Sequence, residues 1–335
     1  MTPSPNPRPI SSGAPGEPRR PRLIALDWGT SSLRAYLLGG AGEILDERAK
    51  PWGIMHVPDG DFAKAFATIV QGWQGPNGTL PVIAAGMIGS AQGWREVAYQ
   101  TCPVGLTQLA TGLASLVSDG ARLWIVPGVI DPGTVPNVMR GEEAQIIGAL
   151  DRAPDLCPRA CLIMPGTHSK WVEVIGGEIQ TFATYMTGEL FALLRDHSIL
   201  GRPARQGAAS GALPQELANQ RWRESFERGL VAARESGPSG AMSLLFSART
   251  LVLVGRLGAK DSLDYLSGLL IGDELRCALL ARTSAATAPV ALIGDPRLCE
   301  RYEMALQLFG VSDVRTIPNT SVAGLWRIAV SAGLV

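Results

Sequence analysis

An excess of charge of either sign is the first thing missing. Thirty Lys and Arg stand against 30 Asp and Glu, a formal net charge of zero over 335 residues. No basic field is therefore available to grip nucleic acid or an anionic membrane surface. Long apolar runs are missing as well: none approaches the roughly 18 residues that a membrane-spanning helix needs. The N-terminus has no apolar segment of the secretory kind. Cysteine is sparse, and Cys102, Cys157, Cys161, Cys277 and Cys299 are odd in number and scattered. Cys157 and Cys161 lie four apart, yet no second Cys or His pair completes a zinc spacing. The expectation is reduced thiols in a cytoplasmic protein. Neither a G-x-x-x-x-G-K-[ST] loop nor a G-x-G-x-x-G followed by a suitable acid occurs. That excludes a Walker A loop and a dinucleotide fingerprint.

What is present is apolar material for a sizeable core, 46% of the chain, at a length that suits two domains. Residues 1–21 are rich in Pro, Ser and Gly and are expected to be a disordered tail, because they cannot bury enough surface to offset ordering entropy. Beyond them Leu23-Ile24-Ala25-Leu26 reads as a buried strand, Asp27 to Ser32 as a turn, and Leu33 to Leu38 as a returning strand. Cys161-Leu162-Ile163-Met164 opens a second unit of the same kind, with Pro165 to Lys170 as its turn and Trp171 to Val174 returning. Pro154, Asp155 and Pro158 mark a loop between the two. The expected division is 22–153 and 154–335. Helical patterns cover Asp61 to Trp73, Gly141 to Leu150, Glu189 to His197, Arg221 to Arg234, Leu263 to Leu280 and Arg297 to Phe309. Apolar positions along Leu263 to Leu280 leave a homodimer open.

A strand-turn-strand with Gly, Thr and Ser at its bend presents backbone N–H groups and hydroxyls, which suit phosphate oxygens. Asp27, Gly29, Thr30 and Ser31 make one such turn; Gly166, Thr167, His168, Ser169 and Lys170 make the other. An acid at a strand end, such as Asp27, can hold a divalent cation. A plain hairpin remains the alternative for either turn alone. Lysine is rare, four in the chain, so Lys170 inside such a turn is notable, although a solvated lysine is the simpler reading. Glu142 and Glu143 open a helix after Arg140 and Gly141. Acids there favour the helix dipole; the functional alternative is a base or water-positioner for phosphoryl transfer.

The stretch Ile24 to Thr30 followed by Leu33-Arg34-Ala35 resembles the first phosphate motif of the actin, hexokinase and heat-shock-chaperone ATPase superfamily. More narrowly, five blocks in order resemble the 2-dehydro-3-deoxygalactonokinase family. They are Ala85 to Ser90 with Gly93-Trp94, Asn137 to Glu143, Met164 to Val172, Met186 to Leu190, and Ser267 to Glu274. Gly294-Asp295 departs from the family's more Ser/Thr/Gly-rich turn. The resemblance implies an α/β chain of two actin-like ATPase (ribonuclease H-like) domains around a central cleft. It implies a kinase that moves the γ-phosphoryl of ATP, with Mg²⁺, to the 6-hydroxyl of a small-molecule sugar acid, 2-dehydro-3-deoxy-D-galactonate. No nucleic acid or membrane is expected as a partner.

On that footing Asp27 would hold Mg²⁺. Gly29, Thr30, Ser31, Gly166, Thr167 and Lys170 would face the phosphates, and Glu142, or Glu143 in its place, would act as base. Met87, Gly89, Ser90, Trp94, Arg140, Thr187 and Glu189 would line the sugar-acid pocket, with Arg140 or Arg34 meeting the carboxylate. Gly268, Gly272 and Gly294 would flank adenosine. His168 could cap a phosphate or simply pack in its hairpin. Two competing readings remain: a phosphatase on the same scaffold acting on polyphosphate or a nucleotide, and a non-catalytic sugar-acid sensor.

Overall fold

The computed structural model describes residues 20–74, 80–118, 120–207, 215–281 and 288–335. Apart from its last two residues, the expected tail 1–21 lies outside them. In chain order the strands are β1 Leu23–Trp28, β2 Leu33–Leu38, β3 Ile44–Lys50, β4 Val82–Ala85, β5 Gln100–Thr101, β6 Ala114–Ser118, β7 Ala121–Ile125, β8 Val129–Asp131, β9 Asn137–Met139, β10 Arg159–Met164, β11 Ser169–Ile175, β12 Glu178–Tyr185, β13 Val290–Leu292 and β14 Val314–Thr316. The helices are α1 Phe62–Ile69, α2 Leu106–Thr111, α3 Glu142–Arg152, α4 Thr187–His197, α5 Arg202–Gly207, α6 Gln215–Arg234, α7 Ser247–Leu253, α8 Ser262–Ala281, α9 Pro296–Leu308 and α10 Thr320–Ser331.

Strands β1 and β10 are nearly continuous apolar runs because each is central in its sheet and covered on both faces. The first sheet runs β3-β2-β1-β4-β7-β6 and the second β12-β11-β10-β13-β14. In each, the central strand pairs antiparallel with the next strand in sequence and parallel with a later one. The repeat seen in the sequence, strand, polar turn and returning strand, is thus a repeat of sheet topology. It places the two polar turns at corresponding ends of β1 and β10. One buried cluster joins the halves, with Leu23, Ile83 and Ile146 from the first, Leu162, Val172 and Ile293 from the second, and Leu325 and Ile328 from α10.

Helix α10 crosses back from the second sheet to pack along α3. Close approach needs small residues: a Cβ on Gly324 would fall 1.7 Å from the Ala144 carbonyl oxygen. The same logic corrects the expectation for Gly268 and Gly272. A Cβ on Gly268 would sit 2.1 Å from the Phe226 carbonyl oxygen, and one on Gly272 2.7 Å from the Cβ of Ala233. Both glycines let α8 lie against α6, and neither lines the cavity between the two halves. Helix α8 also offers no free apolar stripe. Of its large apolar side chains only Leu280 is exposed, so the expected surface for a homodimer is spent inside the chain.

Candidate active site

Both polar turns open on one cavity of about 780 Å³ between the two halves. Asp27, the penultimate residue of β1, lies on its floor, facing Arg34 in the β1–β2 register. Gly29 and Thr30 follow on the same wall, with Met87 just after β4. Gly166, Thr167, His168 and Lys170 line the opposite wall, with Gly294 after β13. Gly86 and Gly141 bring the base of the cavity together. Both take positive φ, +103° and +112°, and a Cβ on Gly141 would stand 3.2 Å from the Cα of Gly86. Only glycine adopts that backbone without strain.

Helix α3 starts at this base. The backbone N–H of Arg140 donates to Glu142 Oε2 at 3.0 Å, and that of Gly141 to Glu143 Oε2 at 2.6 Å. Both acids therefore satisfy backbone donors at the helix entry, yet their surroundings differ. Glu142 lines the cavity, and its Oε1 lies 3.6 Å from the ammonium of Lys170. This ion pair spans the cleft, from β11 of one half to α3 of the other. Lys170 is buried, so it is no solvated lysine. Glu143 is fully buried, with Oε1 lacking any partner. Burial first, and then the charge of Glu142, pushes its carboxyl up to about 8. Burial also raises Asp27, opposed by Arg34 and reinforced by Glu142.

Glu143 thus holds its proton at neutral pH in the folded chain and loses it when unfolded. Its contribution to stability is full below about pH 4.5 and fades as pH rises toward about 8. Glu143→Gln, a neutral isostere, should remove that slope. The difference in unfolding free energy between variant and parent should grow by a few kcal/mol between pH 5 and 8. Denaturant unfolding at several pH values checks it; parallel pH curves for the two proteins would contradict it.

Arg140 is nine-tenths buried. Its Nη2 donates to the Val97 carbonyl at 2.7 Å, its guanidinium lies 4.3 Å from the Tyr99 ring centre, and Nε and Nη1 have no partner. Arg140 lines the cavity and brings positive charge to its wall, which suits an anion. Among the described residues, no group of three or more His, Cys, Asp or Glu is gathered for a metal. A cation here would rest on Asp27 together with oxygens of its ligand.

Residues 27–328 match the 2-keto-3-deoxy-galactonokinase family. The chain is 34% identical over 310 residues to a 2-dehydro-3-deoxygalactonokinase of Escherichia coli (strain K12), covering 92% of this chain and 97% of that protein. The chain belongs to this kinase family. A protein of Rhizobium meliloti (strain 1021) assigned the same activity is 35% identical over 296 residues, 86% of this chain and 90% of its own. A crystal structure from Sinorhizobium meliloti, assigned to the same kinase, superposes with a TM-score of 0.80 at 32% identity, covering 92% of this chain and 98% of that one. The paired sheets are those of the actin-like ATPase fold.

Within this galactonokinase-family chain several expected site residues lie elsewhere. Ser31 is exposed outside the cavity, beyond Thr30. Gly89 and Ser90 are buried behind Met87: the Ser90 hydroxyl donates to the Met87 carbonyl at 2.7 Å, and Gly89 packs beside Arg140. Trp94 packs its ring at 5.8–6.2 Å from those of Phe66, Trp28 and Phe62, and belongs to the apolar layer beneath β1. Thr187 gives its hydroxyl to the buried Glu274. Glu189 stands behind the cavity wall and pairs with His168 at 2.5 Å. Conversely, Tyr99, Gln145 and the segment Asn319 to Val322 line the cavity unanticipated. The last was legible as a helix start, with Asn-Thr-Ser preceding Val322, Leu325 and Ile328.

Proposed function

We propose that the chain transfers the γ-phosphoryl group of ATP to the 6-hydroxyl of 2-dehydro-3-deoxy-D-galactonate in the cytoplasm, giving the 6-phosphate for D-galactonate breakdown. Membership of the family supports the reaction class. The observation that carries the mechanism is the cleft-spanning pair of Glu142 and Lys170, set between two Gly/Thr turns. The turns at Gly29-Thr30 and Gly166-Thr167 would take the phosphates on backbone N–H groups and hydroxyls. Asp27 would hold Mg²⁺, which offsets phosphate charge when bound.

Glu142 has one carboxylate oxygen tied to the Arg140 N–H; the other is turned toward Lys170. It would take the proton of the sugar hydroxyl as that oxygen bonds the γ-phosphorus and the β–γ bridging bond breaks, releasing ADP. Lys170 would hold Glu142 in place, and then stand beside the transferring phosphoryl. Arg140, on the cavity wall, would set its positive charge against the sugar-acid carboxylate. Gly294 and the Asn319–Val322 segment, which also line the cavity, are left for the nucleoside side. Closure of the halves would exclude water and limit wasteful hydrolysis.

A coupled ADP assay over 2-keto-3-deoxy sugar acids tests this reading. ADP release should depend on added sugar acid and on Mg²⁺, and should be fastest with the galacto epimer. Phosphate release from polyphosphate or nucleotide without any sugar acid would instead support a phosphatase.

A further inference from the structure

Glu274 is a buried carboxylate outside the cavity, 3% exposed. No cation pairs with it among the described residues; hydrogen bonds alone hold it. Trp171 Nε1 donates to Oε1 at 2.7 Å. The Tyr302 hydroxyl donates to Oε2 at 2.7 Å, and the Thr187 hydroxyl donates to the same oxygen. The hydroxyls of Tyr302 and Ser169 lie 2.8 Å apart. One acid on α8 therefore gathers β11, α4 and α9. Burial raises its carboxyl, and these donors offset that only in part. A carboxylate buried without a cation is costly unless every donor is in place, and such a network rigidifies what it joins.

What it joins is the phosphate turn. Ser169 follows the Gly166–His168 bend directly, and Thr187 is the first residue of α4. The first turn of α4 lies against that bend. A Cβ on Gly188 would fall 2.3 Å from the Gly166 carbonyl oxygen, and the Glu189 N–H donates to the Thr167 carbonyl at 2.9 Å. His168 meets the Glu189 carboxylate at 2.5 Å. The bend is thus held from both sides, by Ser169 at its end and by α4 at its back, and both holds converge on Glu274. This places three of the sequence blocks, Met164 to Val172, Met186 to Leu190 and Ser267 to Glu274, in one device.

We propose that Glu274 is a positioning residue for the nucleotide: acting through Thr187 and Tyr302, it sets the shape of the Gly166–His168 turn without touching substrate. The proposal rests on the reading that this turn holds ATP phosphates. Thr187→Val keeps the side-chain shape and removes the hydroxyl. It should raise KM for MgATP about tenfold, the size of one lost charge-assisted hydrogen bond, with KM for the sugar acid within twofold. Thr187→Ser should restore the ATP value. Glu274→Gln should show the same split together with a lower Tm. Leu230→Ala, a buried position on α6, should lower Tm with no change in ATP KM.

Calorimetric titration with MgADP, without sugar acid, gives a second readout and should follow the ATP KM. If Thr187→Val folds and binds nucleotide like the parent, or loses both substrates equally, the proposal is overturned while the kinase reading stands. If the parent chain binds no nucleotide, both fall.

Discussion

Asp27→Asn is expected to lower kcat for phosphoryl transfer by about 10³-fold, the order reached when a charge-stabilising group is removed from a closed site, with the fold retained. The carboxylate sits near the end of β1, half-buried on the cavity floor. Burial disfavours its charge, and Arg34 only partly compensates. Its charge is thus stored at some cost in the free chain, and a bound cation would relieve that cost. Asparagine matches its shape and removes the charge, so stability should hold or rise slightly. Steady-state ADP formation and a thermal melt check both halves of the expectation. Unchanged turnover would remove Asp27 from the metal site.

Glu142→Gln should cost about 10²–10⁴ in kcat, the usual contribution of a positioned general base. The amide oxygen can still accept the Arg140 N–H, so helix α3 should start as before. What the substitution removes is the counter-charge to Lys170 across the cleft and, on the proposed mechanism, the proton acceptor. Glu143→Gln makes the companion measurement. Glu143 is already protonated at neutral pH and is not among the residues lining this cavity, so turnover of the variant should stay within a few-fold of the parent. Equal losses in the two variants would assign the acids to helix structure rather than chemistry.

The two hairpins were legible because their signals are local. An apolar run, a Gly/Thr bend and a second run are read within twenty residues, as at Leu23 to Leu38 and Cys161 to Val174. That Asp27 and Thr167 share one cavity was legible only through the repeat and the resemblance; no spacing shows it. Residues whose partners are distant in sequence were misread. Trp94 sits in a Gly-rich loop that looked like a pocket wall, but its neighbours Trp28, Phe62 and Phe66 come from β1 and α1. Gly268 and Gly272 gave no sign of whether a base or a second helix needed the space; the answer lay in α6. Thr187 looked like a polar pocket residue because its acceptor, Glu274, is 87 positions away. Helix α10 escaped notice although its caps were readable, because its packing partner α3 lies across the molecule.

The most direct measurement is a crystal structure of the chain with a non-hydrolysable ATP analogue and Mg²⁺. The triphosphate is expected to lie between the Gly29-Thr30 and Gly166-Thr167 turns, with phosphate oxygens about 3 Å from donors of both. The cation should sit beside Asp27, and the γ-phosphate should face Glu142 and Lys170. A nucleotide bound to one turn alone, or outside this cavity, would contradict the shared grip on which the mechanism depends.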